Sequence, residues 1–183
     1  TIGTTEFATM GLLPQIGADL GVSDPVVGRA ITAYAVGVVV GAPLLTVAAA
    51  RMSRRRLLLC LMGFYTVANV LSAAAPGIEA LVAGRFLAGL PHGAFFGVGA
   101  AVGAAVAGPG RRGHAVSMMM TGLTVANVVG VPVSTAVGQH LGWRAAFVLM
   151  GVLGAVTLLG IWRFVPEHGP VDSSVRAELG TLR

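Results

Sequence analysis

Long apolar stretches alternate with short polar breaks along this chain. Six runs of apolar or small residues stand out, at about residues 1–16, 26–50, 57–75, 80–107, 115–137 and 145–165. Each run is continuous rather than alternating at every second residue, which predicts membrane-spanning α-helices and argues against a transmembrane β-barrel. The first run supplies only ~24 Å of helix for a hydrocarbon core of ~30 Å, so its helix is expected to begin upstream of Thr1. The predicted fold is an all-α membrane protein of six transmembrane helices, with residues 1–165 as one bundle. Residues 166–183 turn polar and are expected to be a cytoplasmic linker toward a missing second half.

The breaks sort by charge. Gly17 to Pro25 carries two acids and no base, whereas Arg51-Met52-Ser53-Arg54-Arg55-Arg56 holds four arginines and Gly108 to His114 holds two. Basic residues in short loops stay in the cytoplasm, which orients all six helices and puts both ends inside a multi-pass cell-membrane protein. Composition agrees. Only 10% of the 183 residues are charged and 55% are hydrophobic, too few polar groups to cover a water-facing globule. The net charge of +5 gathers between apolar runs, so it is read as topological and no nucleic-acid partner is expected. Arg29 lies near the opposite end of the second run and is expected to snorkel to the interface. Cys60 has no partner for a disulfide or metal site and reads as a small core residue.

Small residues recur every fourth position in three of the runs. The fifth has Gly122, Ala126, Gly130, Ser134 and Gly138, the fourth Gly89, Gly93, Gly97, Ala101 and Ala105, and the second Ala33, Gly37 and Gly41. Such spacing places them on one side of a helix, where another backbone can approach closely. Gly41-Ala42-Pro43 in the second run and Gly130-Val131-Pro132 in the fifth hold equivalent places in two triplets, a faint echo of an inverted repeat. Proline and glycine within a span also loosen backbone that must bend.

Three polar residues are candidates for chemistry inside the membrane. A carboxylate at mid-bilayer costs about 3 kcal/mol on insertion scales, so Glu6 is read as functional, and a carboxyl removed from water is suited to exchanging a proton. Arg85 keeps its charge and would bias a neighbouring carboxylate or bind a carbonyl, while His92 follows two turns deeper on nearly the same face. Asn69 and Asn127 are read as interhelical glue. The chain shows no paired-carboxylate site, no Cys/His metal spacing and no phosphate-cradling loop. An enzyme is not expected, nor a cofactor or a metal.

Several segments together resemble the amino-terminal half of a major facilitator superfamily transporter. GTTEFATMGLLPQIGADLGVS resembles helix 1 of the drug:proton antiporter branch, near chloramphenicol-resistance and arabinose-polymer-efflux permeases. AARMSRRRLLL sits where that superfamily has its loop 2–3 motif, with Ala50 and Ser53 at the usual aspartate and glycine. GRFLAGLPHGAFFG resembles the helix 4 motif, and GLTVANVVGVPVSTAVGQHLGWRAAF the helix 5 antiporter motif. The resemblance implies proton coupling through Glu6 and Arg85 and a substrate cavity near Met10, Arg85 and His92. It further implies a gating loop at Arg51, Arg54 and Arg55, and a helix-packing stripe (Gly122, Ala126, Gly130, Pro132, Ser134, Gly138) turned toward a second half.

The expected function is secondary active, proton-coupled efflux of small lipophilic compounds such as drugs, with the bilayer, protons, substrate and a carboxy-terminal half or second copy as partners. The alternatives are a split half acting as a membrane assembly module, and a sugar or metabolite exporter.

Overall fold

The structure is a computed structural model that describes residues 1–48, 52–108 and 110–166. Its described residues form helices and no β-strand. α1 (Ile2–Ala8), a 3-10 turn (Met10–Leu12) and α2 (Leu13–Leu20) make one interrupted span. α3 (Asp24–Ala48), α4 (Arg54–Ala73) and α5 (Ile78–Ala107) follow. A second interrupted span consists of α6 (Arg112–Val125), a π-helical segment (Ala126–Gly130) and α7 (Val131–Leu141), and α8 (Trp143–Phe164) closes the bundle. Five helices are long and apolar enough to cross a membrane, α6 through α7 counting as one. With the interrupted first span they form a six-helix half bundle.

Several helices run past the ends of their apolar runs. Arg54, Arg55 and Arg56, expected in a loop, form the first turn of α4 after the N-cap Ser53, since arginine is a good helix former. Gly21 (φ 65°) ends α2 four residues beyond the predicted stop, and Gly142 (φ 88°) separates α7 from α8; each adopts a left-handed φ that a side chain would disfavour.

Prolines explain both interruptions. Pro14 has no N–H for the carbonyl of Met10 and its ring presses on that group, so α1 stops at Ala8 and a tighter turn leads into α2. Pro132 acts likewise on Val128, and the turn before it widens until the Val131 N–H reaches the carbonyl of Ala126.

Two of the core's apolar clusters frame the site. At one end Leu12, Ile16, Val27, Leu81, Trp143 and Phe147 pack together. Toward the arginine-bearing end the other consists of Ile2, Leu58, Met62, Tyr65, Val102 and Ile161. Between them lies a polar layer.

Candidate functional site

Arg85 is the centre of that layer and is fully buried. One guanidinium nitrogen donates to the carbonyl oxygen of Thr5 at 3.1 Å. That oxygen is available because the Thr9 N–H turns to Phe7 where α1 ends, so the break in the first span creates the acceptor that Arg85 uses. The guanidinium also lies 4.3 Å from the centre of the Tyr34 ring and 5.5 Å from that of Phe147. Cation–π contacts of this kind gain strength where water is excluded. Its Nε and other terminal nitrogen find no hydrogen-bond partner among the described residues.

Glu6 follows Thr5 on α1 and forms no ion pair with Arg85 among the described residues. It is only half-buried, and its carboxylate lies within electrostatic range of Arg85, Tyr34 and His92. Tyr34 and His92 are joined by a 2.9 Å hydrogen bond between the phenol oxygen and Nδ1. The His92 ring lies 5.2 Å from that of Phe96. Three helices therefore contribute one polar cluster: Glu6 from α1, Tyr34 from α3, and Arg85 with His92 from α5. Tyr65 extends it from α4, hydrogen-bonding the Thr5 hydroxyl and the carbonyl of Thr1.

Glu6, Arg85 and His92, singled out in the sequence, are brought together. Met10 lies on the 3-10 turn with half its surface exposed, outside the hydrogen-bonded cluster. Tyr34 and Tyr65 were missed. They are the chain's two tyrosines, each inside an apolar run, and a buried hydroxyl needing a partner was the available signal.

The other named residues fall elsewhere. Arg55 donates to the carbonyl of Trp162 in the last turn of α8, and Arg54 donates to that of Ala101 in α5 at 3.5 Å. Arg51 lies outside the described residues. The helix 5 stripe corrects its expectation of facing a second half. A Cβ at Gly130 would strike the side chain of Thr4, and one at Gly138 that of Leu12, both on the first span; Ser134 is buried there. Gly122 has open space around it, and Ala126 is held through its carbonyl, which accepts the Thr4 hydroxyl at 3.3 Å. Pro132 supplies the widened turn. Arg29, expected to snorkel, instead makes a two-bonded ion pair with Glu79 (3.0 and 3.2 Å).

The opposite end carries a second polar group. Asp19 accepts from the Trp143 indole at 2.8 Å and from Arg144, whose other nitrogen donates to the carbonyl of Ala75 at 3.2 Å. The Trp143 and Arg144 hydrogen bonds hold the Asp19 carboxyl below its ordinary range.

The described residues thus form an interrupted helical membrane bundle with a polar cluster across its interior. The sequence comparisons fix the family: residues 1–182 match the Major Facilitator Superfamily, to which the chain belongs. It is 44% identical, over 99% of its length and 47% of the relative's, to the inner membrane transport protein YdhP of Escherichia coli (strain K12). It is 41% identical, over 91% of its length and 42% of the relative's, to the MFS-type transporter YtbD of Bacillus subtilis (strain 168). Against the chloramphenicol resistance protein of Streptomyces lividans it is 35% identical, over its whole length and 48% of the relative's. The chain thus spans about half the length of the curated relatives it matches.

Proposed function

We propose that this chain is the amino-terminal half of a proton-coupled exporter of small lipophilic compounds, with both of its ends in the cytoplasm. The observation that carries the proposal is the fully buried Arg85, held to the carbonyl of Thr5 one residue before the half-buried Glu6. With Glu6 ionised, the carboxylate offsets the buried guanidinium. Protonation removes that offset and leaves Arg85 to its carbonyl and its two rings, so the charge state of Glu6 alters what holds α1 against α5. Proton uptake and helix packing are then linked, which is the requirement for coupling. The Phe96 ring, packed beside that of His92, favours a lipophilic substrate. The likeness to a chloramphenicol resistance protein points the same way.

Inverted vesicles bearing the whole transporter test this reading. Acidifying the interior is expected to drive accumulation of a lipophilic drug. Glu6→Gln should abolish the response to the pH gradient while drug binding persists. Gradient-driven accumulation by the Gln variant at the unsubstituted rate would refute the assignment of Glu6.

A further inference from the structure

We infer that the arginine-bearing end of α4 forms a selective binding site for an anionic phospholipid. An open apolar groove of about 240 Å³ runs between α3, α4 and α5, lined by Leu45, Met52, Leu57, Cys60, Leu61 and Phe64 among others. Its lining is almost wholly hydrocarbon and sulfur, the surroundings that an acyl chain takes. Arg56, Cys60 and Phe64 are all exposed and lie four residues apart on α4, so they share one side of the helix. Helical side chains lean toward the helix N-terminus, which aims Arg56 beyond the groove toward the level of a lipid headgroup.

The charge pattern selects the headgroup. Arg54 and Arg55 bond carbonyls of neighbouring helices, whereas Arg56 has no hydrogen bond or ion pair among the described residues. The described acids, Glu6, Asp19, Asp24 and Glu79, belong to other parts of the fold. The first-turn N–H groups of a helix have no intrahelical acceptor, and α4 begins just before Arg56, at Arg54. A phosphate above the groove would meet the Arg56 charge and the positive end of α4 while its chain fills the groove. A zwitterionic lipid would bring its own cation to the same place. The inference does not depend on Glu6 or on proton coupling.

The intact transporter, purified in detergent and examined by native mass spectrometry, tests this with phosphatidylglycerol against phosphatidylcholine. Phosphatidylglycerol is expected to be retained preferentially, and Arg56→Gln to reduce its retention about fivefold, the equivalent of ~1 kcal/mol per arginine near a lipid headgroup. Cys60→Trp, which fills the groove and leaves the charge, should also reduce it. The rate at which a maleimide labels Cys60, taken as the difference from Cys60→Ala, reads the groove directly and should fall on adding phosphatidylglycerol alone. Equal retention of the two lipids, or retention unchanged in Arg56→Gln, would mean ordinary boundary lipid and overturn the inference. Displacement of the lipid by inorganic phosphate, or a rise in retention only after residues 167–183 are removed, would assign the site to free anions or to the chain's own acids and equally overturn it.

Discussion

Two seams of this bundle are built on opposite rules. Between α3 and α5, backbone meets backbone. A Cβ at Gly37 would fall on the carbonyl of Phe86, at Gly41 on that of Leu90 and at Gly89 on that of Tyr34. Between the first span and α7, glycine meets side chains instead, Gly130 against Thr4 and Gly11 against Thr135. The first seam brings two nearly regular helices into close contact, while the second joins two interrupted ones. Where apolar burial gives no net drive, close van der Waals contact holds helices together, and the α3–α5 seam uses it fully. The second seam adds the hydrogen bond from the Thr4 hydroxyl to the carbonyl of Ala126, which a small movement can break and remake. One seam is suited to staying closed and the other to adjusting.

Substitution should separate them. Gly41→Leu pits a side chain against backbone that cannot yield, and the expected cost exceeds ~3 kcal/mol, beyond ordinary overpacking. The protein should fail to reach a folded, monodisperse state in detergent. No single partner substitution should restore it, and rescue by one would dissolve the contrast. Gly130→Ala should cost about 1–3 kcal/mol in a thermal melt. Thr4→Ala in the same chain should recover most of that, less the ~1 kcal/mol of its hydrogen bond. Failure of that rescue would make both seams alike.

The smallest effect belongs to the far end. The folded-state Asp19 value lies below its ordinary 3.8, so its stabilisation is complete above that pH and is lost as pH falls through the lower, folded-state value. Melting temperature should hold from pH 7 to about 4 and then decline, and Asp19→Asn should flatten the decline slightly. An unaltered acid limb in the variant would remove Asp19 from the balance.

Much of this was legible in the chain. Continuous apolar runs gave the helices, and the glycine repeats of the second and fourth runs are the ones that meet. The repeats could not say what they meet. A stripe of small residues fits another backbone or a threonine equally well, which is why Gly130 and Gly138 were assigned outward and are found against the first span. Pro14 and Pro132 were visible, but whether proline tightens a turn or widens it depends on neighbours distant in sequence. Arg85 and Glu6 stood out because charge is rare in lipid. Tyr34 did not, since an aromatic ring in an apolar run reads as packing until an arginine is found above it. The Arg29–Glu79 pair spans fifty positions and no local pattern announces it.

The π-helical segment also sets a phase. A four-residue repeat outruns an α-helical turn by ~40° at each step, so a stripe that looks straight on paper winds around its cylinder. A wider turn unwinds part of that advance. Ala126–Gly130 therefore works as a gear step between α6 and α7: above it Gly122 has turned to open space, while below it Ser134 and Gly138 stay engaged with the first span. Were that turn to close into ordinary α-helix, α6 would rotate about its own axis relative to α7 with no hinge bending. A screw motion is thus available within a single span, and Met119 and Leu123, which face the gap beside Phe95 and Phe96, would be carried around with it.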